Sequence, residues 1–303
     1  MPASETSDKK WWSVKAEDLI DKDKRYKKED IQALRTWLEK QPHLPTISDE
    51  QLLVFLAACN FSIEASKKTI DMNYTLRTKN PRMWKERDID HPSLDTIRDT
   101  IQFGVLPQRK GHPAIFVYRV LPMEASLYDV ELVLRIGYMV QDLSQLLAGP
   151  NPDGYIFIID MANVTLGHIL RNPLTLYATA LKYAQEASCC TIRGFHFMNS
   201  GPILETFLNM LRPFINAEVW KLIVAHDKTK GLEKHFDPED FPSDYHGKGP
   251  SIEELCKKYY NMIREYKPWF AYEETLRVDE EKRPPDSKAA DELQGSFRKL
   301  EFD

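Results

Sequence analysis

The stretch Gly194–Ile215, GFHFMNSGPILETFLNMLRPFI, runs a short apolar strand straight into a helix with too much apolar surface for an ordinary solvent-facing element. Two-residue alternation puts Phe195 and Phe197 on one face of the strand, and Pro202 suits the first turn of the helix. That helix carries Ile203, Leu204, Phe207, Leu208, Met210, Leu211, Phe214 and Ile215, which fill the three- and four-residue spacings and spread beyond one narrow stripe. Two structures satisfy such breadth: a helix buried on several sides, or a lid that covers an apolar cavity and also faces a membrane.

Outward from this junction, HPAIFVYRV (112–120), YIFIID (155–160) and KLIVAH (221–226) are β-branched or aromatic runs that read as strands. Helical stretches at Tyr128–Leu147 and Pro173–Ala187 separate them, and strands joined by such long crossovers pair in parallel, so this half is α/β with a mostly parallel sheet. Ser251 with Glu254 opens a last helix through a capping box. The N-terminal third is helical instead: Ile31, Leu34 and Leu38 share a face, Ser48 with Gln51 forms a second capping box, and Ser62 caps a helix running to about Lys79. The expected organisation is an N-terminal arm (1–29) anchored by Trp11 and Trp12, an all-helical module (30–90), an α/β domain (91–270) and a charged tail (271–303).

A net charge of −5 argues against a nucleic-acid partner bound through bulk electrostatics. No apolar run approaches the roughly 18 residues that cross a bilayer, and MPASETSDKKWWS lacks the apolar core of a secretory signal, so a cytosolic protein is expected. Cys59, Cys189, Cys190 and Cys256 fit neither a zinc spacing nor a disulfide framework and read as reduced thiols. No glycine-rich phosphate loop and no nucleophile elbow follows any strand. Asp160, His196 and Ser200 are the nearest approach to a catalytic triad, with nothing requiring them to converge. His226, His235 and His246 lack metal-ligand spacing, and neither a metal nor a cofactor is expected.

The order of segments, FLAACNFSIEASKKTI, GHPAIFVYRV, YIFIIDMANVTLGHI, IRGFHFMNSGPILETFLNMLRPFI and FPSDYHGKGPSIEEL, resembles the CRAL-TRIO family, in particular its tocopherol- and retinaldehyde-binding members and their insect relatives. The resemblance spans roughly Asp30 to Tyr266. It implies a CRAL-TRIO cage whose sheet floors an apolar pocket, a helix from Pro202 to Ile215 acting as a gate, and a non-enzymatic monomer that passes one lipophilic ligand to membranes. Strand parity nominates Tyr155, Phe157, Ile159, Phe195 and Phe197 as pocket residues. Helices add Leu134, Tyr138, Phe207, Met210 and Leu211, with Leu166 after the strand at 155–160; Tyr138 offers a hydroxyl to a polar ligand end. Ile203, Leu204, Leu208 and Phe214 are the candidate membrane contacts of the gate.

Relatives that exchange cargo against phosphoinositides resemble one another in a basic patch near the gate. Here Arg193 and Arg212 match two of its positions and Lys221 neighbours a third, while Glu218 replaces a basic residue. The Arg-x-Arg pair of the helical module reads Ala57, Ala58, Cys59. Phosphatidylinositol or phospholipid transfer is the alternative, and an interaction protein without transfer activity is a further one.

Overall fold

The computed structural model describes residues 11–107, 111–228, 237 and 239–284. The arm before residue 11, the tail beyond residue 284 and His235 lie outside the described residues.

Helices α1 (Ala16–Lys22), α2 (Lys28–Leu38), α3 (Asp49–Ala58), α4 (Ile63–Lys79) and α5 (Pro81–Trp84) form the N-terminal region, followed by α6 (Asp95–Thr100). Both serine starts are visible: Ser48 and Gln51 make a reciprocal capping box, and Ser62 accepts from the Ala65 amide. Trp12 and Tyr26 are buried with this helical core and Trp11 packs against it, so the segment just before α2 is part of the packed body.

The α/β half consists of β1 (Ile101–Val105), β2 (Ala114–Val120), α7 (Val130–Ala148), β3 (Tyr155–Asp160), α8 (Leu166–Leu170), α9 (Leu174–Lys182), β4 (Ile192–Met198), α10 (Gly201–Leu211), α11 (Ala217–Trp220) and β5 (Ile223–Ala225). After α9 the chain continues as a π-helical turn, Tyr183–Ala187. Helices α12 (Ile252–Glu265) and α13 (Lys267–Glu273) close the structure, α12 on the Ser251–Glu254 capping box.

The sheet order is β1-β2-β3-β4-β5, and only β1 is antiparallel to its neighbour. β1, absent from the sequence reading, is one edge strand and β5 the other. Its Gly104 lies under α12, where a Cβ would sit 2.8 Å from Leu255 Cβ, so glycine permits this close packing.

A buried charge cluster joins the halves. Arg87 donates to Asp142 and Glu273, both at 2.6 Å; Arg77 donates to Glu273 at 2.5 Å and Asp142 at 3.4 Å; Arg277 adds a contact to Glu273 at 3.3 Å. Residues beyond α13 continue the clasp, since Arg283 pairs with Asp71 of α4 and the Asp279 amide donates to the His43 carbonyl.

Candidate functional site

From Phe157 on β3 and from Gly194 on β4 the residues alternate in exposure. On β4, Gly194, His196 and Met198 are buried, whereas Phe195 and Phe197 keep accessible surface although the strand lies inside the sheet. That surface faces a cavity of about 340 Å³. The sheet contributes Phe116, Tyr118, Phe157, Ile159, Phe195 and Phe197; α7 contributes Val133, Leu134, Gly137, Tyr138 and Gln141. Opposite them, α9 presents Tyr177 and Leu181, while α10 and the turn after it present Phe207, Leu208, Leu211 and Ile215. The pairing Phe116, Phe157, Phe195 across β2, β3 and β4 stacks three rings into one aromatic floor, with centroids 5.4 and 5.5 Å apart.

No Lys, Arg, Asp or Glu lies among the described residues that line the cavity. Its polar groups are phenols, a carboxamide, a hydroxyl and an imidazole. Tyr118 and Tyr128 hydroxyls are 3.1 Å apart, and burial followed by this mutual contact pushes the Tyr118 pKa well above that of an exposed phenol. His168 is held by Thr165, whose amide donates to Nδ1, and burial lowers its pKa, favouring the neutral ring. Tyr138 is clamped between Trp84, with rings stacked at 4.6 Å, and Tyr183 at 5.0 Å.

Of the residues nominated from sequence, Leu134, Tyr138, Phe157, Ile159, Phe195, Phe197, Phe207 and Leu211 lie on this wall. Tyr155, Leu166 and Met210 do not. Tyr155 precedes a register shift between β3 and β4 that interrupts simple parity, and it is buried against Phe116 with its hydroxyl accepting from the Asn151 amide. Leu166 is 41% exposed because α8 turns His168 and Ile169 inward and Leu166 and Leu170 out. Met210 lies about 100° round α10 from the face carrying Phe207, Leu208 and Leu211.

Among the nominated gate contacts, Leu208 faces the cavity instead, Leu204 is buried, and Ile203 and Phe214 are half-buried. Arg193 is exposed and donates to the Asp153 carbonyl. Arg212 sits 4.3 Å over the Trp220 ring, and Lys221 pairs with Glu218 at 2.8 Å. Tyr118, Tyr128, Tyr177, Tyr183 and Gln141 were missed. Parity on β2 reaches Tyr118 once Phe116 is placed, and the spacing of Leu134 and Tyr138 on α7 reaches Gln141.

At the mouth, α10 rests on α9 through an edge-to-face contact of Phe207 with Tyr177 at 5.1 Å. Asn199 and Gly201, both at positive φ, bracket Ser200 at its start. Tyr177 also donates to the Ile169 carbonyl, which ties α9 to α8. Leu166 and Leu170, 59% exposed, there form an apolar surface with Leu127, 51% exposed, on a turn fixed by the Arg171-to-Ser126 hydrogen bond.

Two of the triad candidates, Asp160 and His196, have other partners. Asp160 accepts from Asn199 and from the Tyr245 hydroxyl, and His196 Nδ1 lies 2.9 Å from His226 Nε2. Among the described residues no cluster of His, Cys, Asp or Glu could hold a metal, and no helix is long and apolar enough to cross a membrane.

A sheet-floored, helix-roofed apolar cavity without charged walls defines a binder of lipophilic molecules. Residues 103–247 match the CRAL/TRIO domain profile, and residues 23–94 match that of the Pinta-like UBA domain. The chain thus carries a CRAL/TRIO domain, the domain of lipid-binding and lipid-transfer proteins that are generally not enzymes. It is also similar to the crystal structure of Sfh5, at 15% identity over 86% of this chain and 88% of that one, with a TM-score of 0.48.

Proposed function

We propose that this protein is a non-enzymatic intracellular carrier that holds one uncharged lipophilic molecule, such as a tocopherol, retinoid or carotenoid, and releases it when α10 swings aside at a membrane. The observation that carries this reading is the uncharged wall of the 340 Å³ cavity. An ion sealed there would lose its hydration with no counter-charge in reach, whereas an apolar molecule gains roughly 25 cal/mol per Å² buried. About 400 Å² of such surface is worth on the order of 10 kcal/mol before the costs of association. A membrane lowers the cost of release by offering a second apolar medium. The exposed Leu127, Leu166 and Leu170 beside the gate supply a surface to meet it.

Recombinant protein taken up in native mass spectrometry with a retinoid or tocopherol is expected to bind one molecule per chain. A protein that takes up none of these, and yields none to organic extraction, removes the reading. Phospholipid transfer is the second reading, with acyl chains inside and the head group at the exposed Arg193 and Arg212. Arg193→Ala with Arg212→Ala is expected to leave neutral-ligand affinity unchanged. Displacement of that ligand by phosphatidylinositol phosphate that the double variant abolishes would favour the phospholipid reading.

A further inference from the structure

One polar group on the cavity wall is left half-used. Gln141 is only 6% exposed and lines the cavity between aromatic and aliphatic side chains. Gln145, one turn on, fixes its orientation. The Cys189 carbonyl can only accept, so Gln145 presents Nε2 to it at 3.0 Å and Oε1 to the Cys189 thiol at 3.4 Å. The thiol's single hydrogen is thereby committed, and the sulfur can only accept from Gln141 Nε2, 3.9 Å away. Gln141 Oε1 is the atom left over, and no described donor reaches it. Nearby, Ser188 lines the cavity with its Oγ accepting from the Cys190 amide, while the Tyr138 hydroxyl, three residues before Gln141 on α7, has no hydrogen-bond partner among the described residues.

We infer that Gln141 determines specificity for a lipid alcohol: its Oε1 accepts the ligand's hydroxyl hydrogen, while Tyr138 or Ser188 donates to the hydroxyl oxygen. An ester or hydrocarbon end cannot donate, and it would leave Oε1 buried and unpaired. The inference rests on the carrier reading of the same cavity.

The test uses the full chain titrated with retinol and retinyl acetate, probes of one skeleton with and without a donor, followed by quenching of tryptophan fluorescence. One lost hydrogen bond to a buried acceptor corresponds to about a tenfold difference in Kd, and wild type is expected to prefer retinol by that factor. Gln141→Met, similar in volume, is expected to bring the ratio to about one while still binding the acetate, with its thermal transition showing a folded chain. Equal affinities in wild type, or a preference that survives in Gln141→Met, overturn the role of Gln141 and leave the carrier reading standing. Binding of neither probe by wild type overturns the role of Gln141, and the carrier reading falls with it when tocopherol uptake and organic extraction are negative as well.

Discussion

Replacing Glu273 by glutamine removes one of two carboxylates that face the buried guanidinium groups of Arg77 and Arg87 and the half-buried one of Arg277. Both Glu273 and Arg87 are at most 2% exposed, so solvent cannot take over the pairing. Breaking a buried pair of this kind costs about 3–5 kcal/mol, a large part of the roughly 5–15 kcal/mol that holds a typical domain folded. The melting temperature is expected to fall by about 10 °C, and the urea midpoint to move with it. The same carboxyl makes a pH prediction. Burial alone would raise its pKa, but Arg77, Arg87 and Arg277 outweigh burial and hold it at about 2. A depressed carboxyl contributes stability above its unfolded pKa of roughly 4.3 and loses it as pH falls toward 2, an interval worth about 3 kcal/mol. Urea titrations of wild type and Glu273→Gln between pH 2 and 7 should therefore converge toward pH 2, separate as pH rises to about 5, and stay apart by a constant margin above it. A difference under about 1 kcal/mol at pH 7, or parallel curves throughout, would refute this account of how the helical module is held to the cage.

Three further outcomes are expected. Leu166→Ser with Leu170→Ser should weaken binding to neutral vesicles several-fold in flotation assays without changing ligand affinity, because both side chains already face solvent. Gly201→Ala places a Cβ where φ is +49° with no atom within 4 Å, so its cost of about 1 kcal/mol is conformational and falls on the closed gate. Stopped-flow transfer to vesicles should speed up about fivefold. Gly247→Ala would put a methyl 1.9 Å from the Phe241 carbonyl oxygen and should destabilise the protein by at least about 2 kcal/mol, read by chemical unfolding.

Where local chemistry decides the conformation, the sequence was readable. Capping serines 48, 62 and 251 start their helices as expected, and the apolar runs at 114–120, 155–160, 192–198 and 223–225 are the parallel strands. β1 escaped because IQFGV is short, contains a glycine and depends on pairing with β2 for its conformation. In the site, alternation on β4 located Phe195 and Phe197, since the strand is paired on both sides there and keeps strict parity from Gly194 to Met198. Tyr155 shows the limit of that rule, because one extra residue at a register shift changes what a side chain meets. Leu166 shows another: in a five-residue helix the periodicity is too brief to say which side faces inward. Gln141 was hidden by its type, since a glutamine on an amphipathic helix ordinarily signals the solvent side.

The clasp around Glu273 also sets how the chain can be shortened. A fragment cut to the CRAL/TRIO segment, 103–247, would keep Asp142 but discard Arg77, Arg87 and Glu273 together, stranding an acid in the interior with no counter-ion. The smallest piece that preserves charge balance inside the cage starts no later than α4 and ends no earlier than Arg277. Truncations for crystallography or labelling therefore belong outside those limits, however compact the lipid-binding segment looks alone.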